Sequence, residues 1–250
     1  MTRIIITGAC GKMGKVIASV VAARDDCEVV AGVDKYNDNT CAFPVYATLN
    51  EVNEKADVVI DFSNPSLLDD LLSYCKANST AVVIATTGYD ECEKKKIADA
   101  SNDIPVFFTY NMSIGINLLA SLAKKAVNVL GNDFDIEIVE QHHNQKIDAP
   151  SGTALMLADA ISEEFDKPMK YEYDRHSKRE KRTKDEIGIH SIRGGTIVGE
   201  HEIIFAGRDE NITLSHSARS KEVFAVGAVN AAVFMSDKTA GMYDMGELVK

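Results

Sequence analysis

Near-continuous runs of β-branched and aromatic residues occupy positions 3–7, 28–34, 57–62, 81–86 and 105–109. Between them lie longer segments, at 12–23, 66–77 and 91–100, in which apolar positions recur at helical spacing. Strands that are apolar at nearly every position are strands covered on both faces. Short apolar strands alternating with amphipathic helices are the pattern of βαβ units. Pro65 stands just before the second helix, where a first helical turn accepts it. The first part of the chain is therefore expected to form an α/β, doubly wound parallel sheet.

Beyond residue 112 the pattern changes. Residues 114–130 form one long amphipathic segment, followed by a strand at 135–140, a polar loop at 141–151 and a helix at 153–165. A charge-dense stretch, 174–186, precedes alternating segments at 187–193, 196–198, 202–206 and 211–216, which are expected to be antiparallel strands. This predicts a second α+β domain with a mixed or antiparallel sheet. An apolar helix at 223–234 closes the chain, and its expected place is back on the first domain.

Composition narrows the function classes. The 250 residues carry 27 Lys and Arg against 38 Asp and Glu, a formal charge of −11. An acidic balance argues against nucleic acid, whose phosphates call for a basic face. The stretch 175–184 holds six basic residues, but acids intersperse it, as in a solvated loop. The apolar runs fall short of the roughly 20 residues that cross a bilayer, and the opening Met1-Thr2-Arg3 leads directly into a strand without a signal-peptide pattern. No membrane and a cytoplasmic location are expected. The five cysteines show no metal-ligand spacing, are read as reduced, and no metal is expected.

The first strand ends in Gly8-Ala9-Cys10-Gly11-Lys12-Met13-Gly14. Glycines at a spacing of three let a backbone turn tightly and bring a pyrophosphate to a helix N-terminus. A plain strand-to-helix glycine turn is the alternative. Asp34, 20 residues past Gly14, stands at the end of the second strand, where an acid binds the adenosine ribose hydroxyls. Lys35 next to it, or Lys12 or Lys15, could receive a 2′-phosphate, so NADH and NADPH both remain open. Thr86-Thr87-Gly88 and Tyr110-Asn111-Met112 sit at later strand ends, where parallel sheets line their ligand crevice.

The strand at 135–140 delivers His142-His143-Asn144-Gln145-Lys146-Ile147-Asp148-Ala149-Pro150-Ser151-Gly152-Thr153. Histidine gives or takes a proton near neutral pH, and Lys146 is a standing cation. Residues 150–153 read as a helix start whose N–H groups and hydroxyls can hold a carboxylate. Surface polarity and a simple N-cap are the bland alternatives. Arg193-Gly194-Gly195 reads either as a substrate-side segment or as a turn between strands.

The strings EQHHNQKIDAPSGTA, ITGACGKMG, ATTGYD, YNMSIGIN and IRGGTIVGEH closely resemble the 4-hydroxy-tetrahydrodipicolinate reductase family, also called dihydrodipicolinate reductase, of the diaminopimelate route to lysine. The resemblance spans essentially the whole chain. It implies a Rossmann-like dinucleotide-binding domain at 1–112 with 221–250 packed on it, and a substrate-binding and oligomerisation domain at 113–220. It also implies a cytoplasmic homotetramer that uses NADH or NADPH to reduce a cyclic imine dicarboxylate, with loss of water. By the same resemblance His142 and Lys146 are the catalytic proton-transfer groups, and His143, Ser151, Gly152 and Thr153 the substrate contacts. The implied cofactor positions are Gly8, Ala9, Cys10, Gly11, Lys12, Met13, Asp34, Ala85, Thr86, Thr87, Thr109, Tyr110, Asn111 and Met112; Lys35 is added to them by its place beside Asp34. Ala85 stands where the family usually has glycine, and Met112 where phenylalanine is frequent.

Two rival functions follow from the same residues. A semialdehyde dehydrogenase needs a thiolate nucleophile near its substrate, and no cysteine lies beyond Cys92. A nucleotide-sensing protein would bind the cofactor without turnover.

Overall fold

A computed structural model describes residues 1–249. In chain order the elements begin β1 (Thr2–Thr7), α1 (Lys12–Ala22), β2 (Cys27–Val33), β3 (Val45–Tyr46), β4 (Val58–Asp61), α2 (Leu68–Asn78), β5 (Ala81–Ile84), α3 (Glu91–Ala100) and β6 (Pro105–Phe108). There follow α4 (Ile114–Leu130), β7 (Asp135–His142), α5 (Gly152–Ser162), β8 (Lys170–Glu172), β9 (Glu186–Arg193), β10 (Gly199–Ala206) and β11 (Asn211–Ala218). Last come α6 (Glu222–Met235), β12 (Gly241–Tyr243) and α7 (Met245–Leu248). The chain divides into two compact units, Met1–Ile114 with Glu222–Lys250, and Gly115–Lys221.

The first unit is a seven-stranded sheet in the order β12-β6-β5-β4-β1-β2-β3. Every neighbouring pair in it is parallel. Consecutive residues of β1 point to opposite faces: Ile4 and Ile6 join the core beneath α1 and α6, and Ile5 joins the core beneath α2 and α3. That double covering is why its strands lack polar alternation. The order reverses at β1, with β2 on one side and β4 on the other, so a crevice opens beyond the carboxyl ends of β1 and β4. The sequence missed β3, β12 and α7, each only two to four residues long.

The second unit is a five-stranded sheet in the order β11-β10-β7-β9-β8. Helices α4 and α5 cover one face through Ile116, Leu119, Ala123, Leu157 and Ile161, which pack on Ile136, Ile138, Ile203 and Phe205. Counted with its terminal turn, the segment Ile114–Asp133 has the length and hydropathy to cross a membrane, a stretch the expectation of short apolar runs overlooked. Its apolar stripe is spent on this core.

Three strand expectations are corrected here. β9 runs parallel to β7, because the chain returns from β7 through the α5 crossover; β10 pairs antiparallel with both β11 and β7. Residues 196–198 form no strand but the approach to β10, after a turn at Gly195 with φ +49°. β7 continues past Glu140 to His142, because Gln141 and His142 still pair with Ile192 and Arg193 of β9.

Candidate active site

In the first unit the glycine loop after β1 is tied to the end of β2. The Gly8 and Ala9 amides donate to the Val33 carbonyl at 2.8 and 3.3 Å, and Gly11 donates to Gly8 at 3.1 Å. Gly8 has φ +73°, and a Cβ there would overlap the Phe62 carbonyl oxygen. A Cβ at Gly14 would overlap the Gly8 carbonyl and lie 2.6 Å from that of Ala9. The spacing therefore serves close backbone packing at the switch point, and Gly11 caps α1 without any side-chain acceptor. A helix that starts this way offers its first amides and dipole to an anion, which fits a dinucleotide pyrophosphate.

Asp34 is brought to this loop. One carboxylate oxygen accepts from the Cys10 amide at 3.0 Å and the other from the Tyr36 amide at 3.0 Å. Lys12 and Lys35 are exposed, and Met13 packs partly against the core. The Lys35 ammonium lies 5.9 Å from the Tyr36 ring centre.

The other strand ends carry the remaining expected positions. The Thr86 hydroxyl accepts from the Ser63 amide at 2.9 Å, Ala85 donates its amide to Asp61, and Thr87 is exposed. Buried Asp61, at the tip of β4, accepts from the hydroxyls of Thr7 and Ser63, both at 2.5 Å. Thr109 and Asn111 form a turn in which the Asn111 side chain accepts from the Ser113 amide at 2.8 Å. Tyr110 is exposed. Met112, by contrast, has its side chain in the core with α6 residues, so it can offer a cofactor only its backbone.

In the second unit the histidine loop is built on a buried charge. Strand alternation sends Ile136, Ile138, Glu140 and His142 to the face that the helices cover. Glu140 has no exposed side-chain surface. One of its oxygens accepts from Arg193 Nη2 at 2.7 Å and from the Ser151 amide at 3.1 Å. The other accepts from Arg193 Nη1 at 2.9 Å and contacts His142 Nδ1 at 2.6 Å. Burial alone would raise the Glu140 pKa; the hydrogen bonds from Arg193 and its other donors overcome that and hold it at about 2. Because Glu140 is ionised, Nδ1 of His142 carries the proton.

Burial lowers the His142 pKa, Lys146 and Arg193 act the same way, and Glu140 opposes them. The ring is thus neutral at pH 7, with a lone pair on Nε2. A Cβ at Gly199 would lie 3.2 Å from that nitrogen. His201 stands edge-on to His142 with ring centres 5.3 Å apart, and burial pushes its pKa down to about 4.

Ser151 joins this cluster to α5. Its hydroxyl oxygen accepts from the Ala154 amide at 3.2 Å and lies 3.3 Å from His201 Nε2, an N-cap that leaves Gly152 and Thr153 in the first helical turn. Lys146 is paired with Asp148 at 2.8 Å, and that ammonium lowers the Asp148 pKa. His143 is half-buried, and its carbonyl accepts from the Lys146 amide at 3.2 Å. Arg193 also donates to the Asp148 carbonyl at 2.6 Å, so it ties the loop to the strand.

Sequence reasoning missed Glu140, Gly199 and His201 and left Arg193 undecided. The signal for Glu140 was available: it is an acid two positions before His142, in phase with Ile136 and Ile138. The stretch 174–186 is laced with ion pairs, including Arg175–Glu186 at 2.6 Å and Arg182–Glu137 at 3.0 Å.

Comparison with known proteins gives a consistent result. The family model described as dihydrodipicolinate reductase, N-terminus, matches residues 2–112, and its C-terminus counterpart matches residues 115–249. The 4-hydroxy-tetrahydrodipicolinate reductase of Caldanaerobacter subterraneus subsp. tengcongensis is 54% identical over 250 residues, covering 100% of this chain and 99% of that one. The enzyme of the same name from Clostridium tetani is 50% identical, with 98% and 96% covered. Among solved structures, dipicolinate-bound dihydrodipicolinate reductase from Paenisporosarcina sp. TG-14 superposes with a TM-score of 0.80 at 27% identity, covering 98% and 97%.

Proposed function

The chain belongs to the dihydrodipicolinate reductase family, and from that premise we propose how its residues carry out the family's reaction. The activity is NAD(P)H-dependent reduction of 4-hydroxy-tetrahydrodipicolinate to tetrahydrodipicolinate with loss of water, in the diaminopimelate route to lysine. The observation that carries the assignment of roles is the buried Glu140–His142 pair beside the N-terminus of α5.

The glycine loop from Gly8 to Met13 and the start of α1 would hold the dinucleotide through backbone amides, and Asp34 would receive its hydroxyls through the carboxylate. Ala85, Thr86, Thr87 and residues 109–112 would border its reactive end. When bound, the cofactor would supply a hydride. The Asp34 carboxylate favours NADH, because it receives ribose hydroxyls and repels a 2′-phosphate; Lys35 offers NADPH one exposed cation.

The substrate is a small dicarboxylate. The amides of Gly152 and Thr153, the Ser151 corner, His143 and Lys146 hold its carboxylates, as a helix N-terminus and nearby cations do. Neutral His142 takes a proton at Nε2 from the carbon beside the imine, the Lys146 ammonium protonates the departing hydroxyl, which leaves as water, and Glu140 steadies the imidazolium. Reduction of the unsaturated imine then needs one proton besides the hydride, and the His142 imidazolium returns it to that carbon. Solvent restores the proton given up by Lys146, so one proton is consumed per turnover.

The protein is read as a homotetramer in the cytoplasm. Light scattering on the purified protein tests that stoichiometry. The test of function mixes the protein with NADH or NADPH and freshly generated 4-hydroxy-tetrahydrodipicolinate, and follows loss of reduced-cofactor absorbance. Cofactor binding without turnover would replace the enzyme reading with a sensor.

A further inference from the structure

We infer that Glu140, gripped by Arg193, is a positioning residue that fixes the tautomer of His142 and aims its Nε2 at the substrate. The inference rests on the reading of His142 as the proton-transfer group. Three observations carry it.

The first is the hydrogen-bond pattern of one carboxylate. Each Glu140 oxygen takes one arm of the Arg193 guanidinium, at 2.7 and 2.9 Å, and one further donor, the Ser151 amide or His142 Nδ1. These four donors, with the Ser191 side chain as a further one, converge on a fully buried group. Two parallel N–H bonds fix the carboxylate plane as a single bond does not. The imidazole that binds it therefore has one orientation and one tautomer.

Anchoring on separate elements is the second. Glu140 and His142 lie on β7, Arg193 on β9 directly beside His142 in the parallel register, and Ser151 at the start of α5. Through this carboxylate, the proton-transfer histidine and the proposed carboxylate-binding helix start share one support. The Arg193 contact to the Asp148 carbonyl extends that support to the loop bearing Lys146.

The third is the space at Nε2. Gly199 faces that nitrogen, with 3.2 Å from a Cβ position to Nε2. Any larger residue there would crowd the nitrogen that must stay open. A carboxylate behind an imidazole, holding one nitrogen protonated and leaving the other as base, is a recurrent device for making histidine a better base.

The charged and titratable groups around His142 are Glu140 on β7, Arg193 on β9, His201 on β10 and Lys146 on the loop. Of these only Glu140 favours the imidazolium at short range. Replacing it by glutamine should lower kcat about 10–100-fold and move the acid limb of the kcat profile to lower pH by about one pH unit, with the cofactor dissociation constant unchanged. In Glu140→Gln/His142→Gln, the loss of kcat should be far smaller than the product of the two single losses, since Glu140 acts on proton transfer through the ring.

A readout independent of turnover is nitrogen NMR of the unsubstituted protein, with the His142 signal assigned through His142→Gln. We expect a neutral ring protonated at Nδ1. Protonation at Nε2, or an acid limb unmoved in Glu140→Gln, overturns the inference. An unchanged kcat in His142→Gln overturns the proposed role of His142 instead, so the two failures are distinguishable.

Discussion

The Asp34 carboxylate accepts a hydrogen bond from the Cys10 amide at 3.0 Å, joining the acid beyond the second strand to the glycine loop. In a dinucleotide fold this acid reads the ribose, and here the Cys10 and Tyr36 amides orient it. Lys35, one residue on, is exposed and unrestrained by any carboxylate contact in its own turn.

Coenzyme choice should therefore respond to Lys35 in one direction only. Lys35→Ala is expected to weaken kcat/KM for NADPH by about 5–10-fold, the size of one exposed charge-assisted contact, and to leave NADH within a factor of about two. An unchanged ratio in paired steady-state assays removes Lys35 from 2′-phosphate recognition.

His142→Gln should cut kcat by about 100–10,000-fold, the range for loss of a positioned acid–base group. Cofactor affinity, read by fluorescence titration, should stay close to that of the parent. A loss confined to KM would instead make the histidine a binding residue.

Lys146→Met removes the standing acid and a carboxylate contact together. We expect a lower kcat and a higher KM, with kcat/KM down by about 1,000-fold or more. Steady-state kinetics with the imine substrate would contradict the assignment if only KM moved.

Stability should fall with acid in two stages. His201 has a folded pKa of about 4 against an ordinary 6.5, and Glu140 about 2 against an ordinary 4.5. Both folded values lie below the unfolded ones, so each contribution is complete above the unfolded pKa and is lost as pH falls through the folded value. The first loss spans pH 6.5 to 4 and the second pH 4.5 to 2, each about 3 kcal/mol. Urea midpoints measured across this range should track both stages, and a flat profile from pH 7 to 4 would contradict the His201 contribution.

Gly8→Ala places a Cβ against the Phe62 carbonyl at φ +73°. The left-handed backbone alone costs about 1–2 kcal/mol. A lower Tm and weakened cofactor binding are expected together; binding and Tm both equal to the parent would show that the loop relaxes freely.

Much of this protein was legible in its sequence. The doubly covered strands of the first unit announce themselves because burial on both faces leaves no polar alternation, and α3 and α4 begin and end where their apolar period does. The histidine loop was also legible, because its chemistry sits in consecutive residues. What escaped were features with little local signature: β3, β8 and β12, two or three residues each, gain their hydrogen bonds from neighbours distant in sequence. The parallel pairing of β9 with β7 was hidden because alternation reports which face is buried and not which strand lies alongside.

The sequence by itself determined the α/β frame, the switch-point glycines and the residues able to move a proton, since these follow from side-chain period and local backbone freedom. Only the tertiary structure decided that Glu140, Arg193 and His142 form one unit, that Gly199 faces Nε2, and that Met112 turns into the core. A hydrogen bond between residues 53 positions apart is set by strand register, and register is settled by packing the whole sheet.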